Sequence, residues 1–187
     1  NLIKVEVDDK YALIPEALED SINKDIEAGM KPTAVVATIG TTGSTAIDPL
    51  KPVAEICKKY NLWLHVDAAF AGSALILPEY RWMIEGVEQA DSYVFNPHKW
   101  LFTNFDCSAY FVKDRQALLN TLQIIPEYLK TATLGKVNDY CDWGIQLGRR
   151  FRALKLWFVL RSYGVKALQE KLRYHIYLSN KFAHKIM

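Results

Sequence analysis

A chain of 187 residues with a formal net charge of +2 and half its residues hydrophobic can bury one real core. Its near-neutral balance gives no electrostatic reason to bind nucleic acid or an anionic membrane surface. Three scattered cysteines, Cys57, Cys107 and Cys141, exclude a disulfide framework or a cysteine metal cluster and fit a reducing, cytoplasmic compartment.

No apolar stretch approaches the length of a membrane span, and no signal-peptide pattern is visible. The chain begins at Asn1 without a methionine. Cys57 and Cys107 lie in apolar surroundings and read as buried thiols. The densest basic run, Arg149-Arg150-Phe151-Arg152 with Lys155, is short and isolated. It reads as a polar helix face or a structural ion-pair cluster rather than a phosphate-backbone site.

Ile14-Pro15-Glu16-Ala17-Leu18 opens a helix with proline near its first turn. Leu18, Ile22 and Ile26 continue an apolar stripe that Gly29 stops. Thr33 to Ile39 runs apolar and β-branched without alternation, the pattern of a fully buried strand. A Gly/Thr/Ser loop covers 40–45, and Pro52 to Tyr60 is a short helix with Val53, Ile56 and Cys57 on one face. Leu62 to Asp67 is the next buried strand. After a bend and a short helical stretch, Asp91 to Phe95 and Cys107 to Val112 are two more strands. Strands separated by helical crossovers predict an α/β fold with a mostly parallel sheet and flanking helices. From Gln123 to Trp143 the periodicity fades, which predicts a surface loop. Gly148 to Tyr163 is helical, with Phe151, Leu154, Trp157, Phe158 and Arg161 spaced along it; Gly164 ends it, and Val165 to Met187 is a second long helix.

Open α/β sheets bind ligands beyond the carboxyl ends of their strands. Three polar features fall there: the 40–45 loop, His65 with Asp67, and Asn96 with His98 and Lys99. Asp67 ends an apolar strand and is expected to be poorly solvated, so it calls for a cationic partner. A protonated pyridine nitrogen is such a partner, and the small Ala68 and Ala69 let a flat ring lie against the backbone. The plain alternative is a strand-end aspartate capping the next helix. Lys99, set among Phe95, Trp100 and Phe102, is expected to be partly desolvated, which suits imine formation; the alternative is a surface lysine at a strand-to-loop junction. Asn96 and His98 stand where they can donate to a phosphate, although His98 alone reads equally well as structural. Gly40-Thr41-Thr42-Gly43 offers backbone or hydroxyl donors but lacks the Gly-Lys-Ser/Thr ending of a nucleotide-binding loop.

One carboxylate and one amine at the same sheet edge are what pyridoxal phosphate chemistry requires. The rival is a two-histidine, one-carboxylate iron site built from His65, Asp67 and His98, because residues two apart on a strand share a face. That site belongs in all-β barrels and leaves Lys99 without a role, so no metal is expected.

The chain resembles the group II pyridoxal phosphate-dependent decarboxylases, most closely the aromatic-L-amino-acid decarboxylases. The resemblance rests on Ala37-Thr38-Ile39-Gly40-Thr41-Thr42, Trp63-Leu64-His65-Val66-Asp67-Ala68-Ala69, Ala71-Gly72-Ser73-Ala74 and Phe95-Asn96-Pro97-His98-Lys99-Trp100. It continues through Asn104-Phe105-Asp106-Cys107, Glu127-Tyr128-Leu129-Lys130 and Leu147-Gly148-Arg149-Arg150-Phe151-Arg152, and so covers essentially the whole chain.

The resemblance implies the C-terminal half of a type I pyridoxal phosphate large domain over residues 1–152, with 153–187 starting a C-terminal domain. It implies the cofactor pyridoxal 5'-phosphate, a homodimer with a shared active site, and decarboxylation of tryptophan, tyrosine, DOPA or phenylalanine to the amine. Lys99 matches the Schiff-base lysine and Asp67 the partner of the pyridine nitrogen. Thr42 matches a threonine of the cofactor site, Ala69 the small residue packed on the ring, and Asn96 and His98 groups around the phosphate. Phe105 matches an aromatic near the substrate ring, and Gly148 a position where glycine goes with indolic substrates in plant relatives. Tyr128 matches the mobile-loop tyrosine that returns a proton after carbon dioxide leaves; relatives with phenylalanine there shift towards aldehyde. The loop Thr131 to Asp139 is slightly shorter than in animal relatives. The ring-stacking histidine and the phosphate loop of the family lie upstream of Asn1, so the resemblance makes this chain a central segment. Decarboxylation of an acidic amino acid, aldehyde synthesis, and a segment inactive by itself stay open as alternatives.

Overall fold

A computed structural model describes residues 1–123, 137–138 and 140–186. Its backbone divides into two units, Asn1–Phe111 with Arg152–Met187, and Val112–Phe151.

Four strands build one sheet in chain order: β1 (Ala34–Thr38), β2 (Trp63–Asp67), β3 (Ser92–Phe95) and β4 (Ala109–Val112). β1, β2 and β3 are parallel. The register sets Thr38 beside Asp67 and Asp67 beside Val94. The loops that leave these three strands therefore emerge at one edge.

The connections explain why the strands run parallel, since each must be carried back along the sheet before the next begins. Helix α1 (Pro15–Glu27) starts on a proline, whose fixed φ and missing N–H suit a first turn. It buries Leu18 and Ile22. Helix α2 (Leu50–Tyr60) buries Leu50, Val53, Ala54 and Cys57, and stops at Asn61, which takes the left-handed conformation that ends many helices. Both helices pack on the side of the sheet that carries Val35, Ala37, Leu64 and Val66. Asp48, itself buried, ties this layer together: Oδ1 accepts from Leu13 N at 2.8 Å and Oδ2 from Thr38 N at 2.7 Å.

The fully buried strand expected at Thr33 to Ile39 is covered on one side only. Val35 and Ala37 are buried, whereas Val36 on the opposite face is 58% exposed. That opposite face carries a polar row instead: Ser92 Oγ accepts from Trp63 Nε1 at 2.9 Å and meets His65 Nδ1 at 2.8 Å.

Between β2 and β3 the chain folds into 3-10 turns at Ala71–Ile76, Pro78–Ile84 and Val87–Gln89. Gly72 sits at the tightest point: a Cβ there would lie 2.5 Å from Phe95 Cβ and 2.7 Å from Tyr93 Oη. Phe95 Cβ is fixed to the backbone of β3 and cannot swing aside, so Gly72→Ala is expected to lower stability by about 1–3 kcal/mol, the usual scale for overpacking. A reduced denaturation midpoint in the full-length protein checks this, and an unchanged one counts against the close packing described.

After β3, a single turn, α3 (Pro97–Trp100), leads towards β4. Helix α4 (Arg115–Leu122) was not expected from the periodicity; Asp114 caps it, accepting from Gln116 N and Ala117 N. In the Val112–Phe151 unit α4 packs on a 3-10 turn at Tyr140–Trp143. The predicted loop from Gln123 to Trp143 falls partly on 124–136 and 139, outside the described residues.

Helix α5 (Arg152–Ile186) starts four residues later than the sequence pattern placed it and breaks at Gly164, which has φ 69° and ψ 164°. That conformation suits glycine and separates the two expected helices. Leu168 and Leu172 of the second arm are fully buried, and Leu172 joins Leu77 and Leu101 in a second small core. The architecture is α/β with a mostly parallel sheet and flanking helices, as expected. No helix among the described residues is long and apolar enough to cross a membrane.

Candidate active site

Main-chain hydrogen bonds lace the ends of β2 and β3 together. Ala68 N donates to Val94 O at 2.9 Å, and Asn96 N donates to Ala69 O at 3.0 Å. Asp67 and Ala69 therefore leave β2 directly beside the point where Asn96, His98 and Lys99 leave β3. The loop holding Thr42 leaves β1 at the same edge.

Asp67 is half-buried. Its Oδ1 accepts from Ala69 N at 2.9 Å, closing a local turn. Its Oδ2 accepts no hydrogen bond among the described residues. The capping alternative is thus realised by one oxygen, while the other remains open to a donor. Burial pushes the His65 imidazole below its ordinary range, and the nearby Asp67 carboxylate opposes that shift. His65 is accordingly a neutral neighbour on the face it shares with Asp67.

Lys99 differs from expectation. It is exposed and not wrapped by aromatics. Each aromatic near it in sequence has a partner elsewhere: Phe95 lies on Phe111 and Tyr93, Trp100 on Phe70, and Phe102 beside His175 and Tyr163. Lys99 N donates to Asn96 O at 2.9 Å, which forms the turn, and its ammonium makes no ion pair among the described residues.

The two polar neighbours of Lys99 are oriented by Cys107 and Ser108, in the segment that leads into β4 rather than in the strand expected to start at Cys107. His98 N donates to Cys107 O at 3.2 Å, and Cys107 N donates to His98 Nδ1 at 2.9 Å. With Nδ1 accepting, the proton of a neutral His98 sits on Nε2, which makes Nε2 a donor. Ser108 Oγ donates to Asn96 Oδ1 at 2.6 Å in one sense of that contact, which leaves the Asn96 amide N–H groups to donate. Ser108 was missed because a serine in an apolar run carries no signal of its own.

Phe105 is 83% exposed, and its ring centroid lies 4.7 Å from that of His98. The turn beneath it is braced from α5: Arg152 Nε reaches Asp106 Oδ2 at 2.9 Å, and Lys155 Nζ reaches Asp106 O at 2.6 Å and Asn104 O at 3.0 Å. This part of the basic run is a structural ion-pair cluster. Thr42 is exposed and takes no hydrogen bond among the described residues. Gly148 belongs to the Val112–Phe151 unit, and a Cβ there would meet nothing within 4 Å. Tyr128 lies outside the described residues.

The iron alternative fails because His65, Asp67 and His98 are not grouped so that they could hold a metal ion. His65 Nδ1 is engaged by Ser92 and His98 Nδ1 by Cys107, and among the described residues no three His, Cys, Asp or Glu side chains are grouped to hold a metal ion. Burial pushes the Cys57 thiol up to about 11 and raises that of Cys107 as well. Both are buried thiols, as expected.

A family model described as the pyridoxal-dependent decarboxylase conserved domain matches residues 1–187. Tyrosine decarboxylase 2 of Narcissus pseudonarcissus is 53% identical over 174 residues, covering 92% of this chain and 35% of that protein. The crystal structure of Oryza sativa TDC with PLP and tryptamine superposes with a TM-score of 0.85 at 48% identity, covering 88% of this chain and 34% of that one. Rhodiola rosea 4-hydroxyphenylacetaldehyde synthase gives 0.89 at 38% identity, with 99% and 38% covered. The chain thus spans about a third of the length of these relatives. With the strand order, the Asp67 and Lys99 turns and a match along its whole length in agreement, the chain belongs to the pyridoxal-dependent decarboxylase family.

Proposed function

We propose that the full-length protein carrying this chain decarboxylates an aromatic L-amino acid to the corresponding amine, with pyridoxal 5'-phosphate as cofactor. The observation that carries the reading is the pairing, on adjacent strand ends, of the Asp67 carboxylate, one oxygen of which accepts no hydrogen bond among the described residues, with the exposed Lys99 amine, which makes no ion pair among them.

The residues present fit the cofactor. Asp67 Oδ2 lacks a donor among the described residues, and a pyridinium N–H is one. Asn96 and His98 Nε2 are donors suited to a phosphate, and the exposed Lys99 amine on the same turn suits the cofactor's aldehyde. Ala69 leaves room for a flat ring, and Thr42 contributes a hydroxyl. When bound, the cofactor supplies an electron sink for the bond to the departing carboxylate.

The protein's own part follows from these positions. Lys99 would hold the cofactor covalently through Nζ. Asp67 would hold a proton at the pyridine nitrogen, and burial of His65 beside it disfavours a second positive charge there. Phe105 offers an aromatic surface to the substrate side chain, and Gly148 leaves space for a large ring. Tyr128 delivers a proton to the carbon that has lost carbon dioxide. Residues 1–152 serve as part of the cofactor-binding domain and 153–187 as the start of the next, in a cytoplasmic homodimer that shares its active sites.

A second reading, oxidative formation of an aldehyde, is favoured by the likeness to an aldehyde synthase. Product analysis separates the two. With tryptophan, tyrosine, DOPA and phenylalanine supplied singly, and glutamate as a control, the expected product is an aromatic amine; turnover of glutamate alone removes the aromatic assignment. In Tyr128→Phe under air the amine yield falls, and aldehyde and ammonia appear with peroxide as dioxygen and water are consumed. An amine yield equal to that of the unsubstituted protein takes Tyr128 out of the mechanism.

A further inference from the structure

We infer that Trp100 is a strut between the Lys99 turn and the Asp67 turn, and that His175 on α5 is the positioning residue that holds the strut in place. The inference rests on the reading of Asp67 and Lys99 as cofactor-holding residues.

Trp100 follows Lys99 directly, and Phe70 follows Asp67 by three residues. Their rings stack with centroids 4.9 Å apart and planes 4° from parallel. A stack sets the spacing of two rings but resists sliding within the plane only weakly. The in-plane restraint comes from elsewhere: Trp100 Nε1 donates to His175 Nδ1 at 3.1 Å. An indole N–H can only donate, so Nδ1 of His175 is unprotonated in this arrangement. Stack and hydrogen bond together restrain Trp100 along perpendicular directions.

The acceptor is well anchored. Leu168 and Leu172 bury this arm of α5, and Gln169 Nε2 donates to Ile76 O at 2.7 Å. Arg173 reaches both carboxylate oxygens of Glu79, at 2.6 and 3.0 Å. The His175 ring also lies against Phe102, with centroids 5.5 Å apart. His175 itself is exposed, so its bond to Trp100 adds little to the core. Its effect falls on the spacing of the two turns that must grip opposite ends of one ring, where misplacement by about 1 Å can cost on the order of 10²-fold in rate.

The test uses the full-length protein. His175→Leu and Trp100→Phe are each expected to speed release of pyridoxal phosphate about two- to tenfold, the scale of one net hydrogen bond. The double variant is expected to release it no faster than the faster single variant. His175→Asn, whose amide oxygen can stand in for Nδ1, is expected to restore release to within about twofold. A second readout needs no cofactor: the Trp100 indole N–H resonance, identified by its loss in Trp100→Phe, shifts in His175→Leu and returns in His175→Asn. Additive losses, or a lowered thermal midpoint with unchanged release, overturn the strut and leave an ordinary surface contact. If the unsubstituted protein binds no pyridoxal phosphate, the functional reading falls, and the indole resonance still decides whether the Trp100–His175 bond exists.

Discussion

Lys99→Ala in the full-length protein is expected to abolish the visible absorbance of bound pyridoxal phosphate and to bring amine release to background. The substitution spares the fold. The bond that shapes the turn, Lys99 N to Asn96 O, belongs to the main chain, and alanine is at home in a short helical turn. The removed ammonium is exposed and has no ion-pair partner among the described residues, so no buried charge is orphaned. What disappears is the amine proposed as the nucleophile for the cofactor's aldehyde carbon. Absorption spectra and turnover measured beside an unchanged circular dichroism spectrum check this. A retained visible band with normal amine release would remove Lys99 from the chemistry.

Asp67→Asn is expected to lower kcat on the order of 10²–10³-fold, the range seen when one preorganised electrostatic partner is lost. The side chain keeps its shape, and its amide oxygen can still accept from Ala69 N, as Oδ1 does now at 2.9 Å. The change therefore isolates the negative charge proposed to face the pyridine nitrogen. Because Asp67 raises the His65 pKa against the lowering effect of burial, the same substitution should move His65 lower still. Proton NMR of the His65 ring reads that shift independently of turnover. A kcat within a few-fold of the unsubstituted protein would show that the ring nitrogen does not depend on this carboxylate.

The parts of the site legible in the sequence are those that follow from strand endings. Asp67 and Lys99 stand out because each closes an apolar run, and parallel strands deliver such residues to one edge. The environment of Lys99 was not legible. Phe95, Trp100 and Phe102 surround it along the chain, but alternation and the α3 turn send each ring to a different partner. Val36 shows a similar limit: an unbroken apolar run marks a strand, yet does not say which faces are covered. Helix α4 was overlooked although Asp114 is a standard cap, because eight residues show too little periodicity. His175 lies 75 residues from Trp100, and no local pattern ties a histidine on one helix to an indole on a distant turn.

The lacing of β2 to β3 by Ala68 N–Val94 O and Asn96 N–Ala69 O also bears on how this family diversifies. Those links are made by peptide groups, which no replacement other than proline at Ala68 or Asn96 deletes. The coarse spacing between the strand ends that carry the acid and the amine is therefore inherited with the backbone and only refined by side chains such as Trp100 and Phe70, while the loops around it are free to drift. A lineage can change which amino acid it accepts, or whether an amine or an aldehyde leaves, without rebuilding the grip itself. That tyrosine decarboxylase 2 of Narcissus and an aldehyde synthase of Rhodiola both align along nearly all of this chain is the outcome such an arrangement permits.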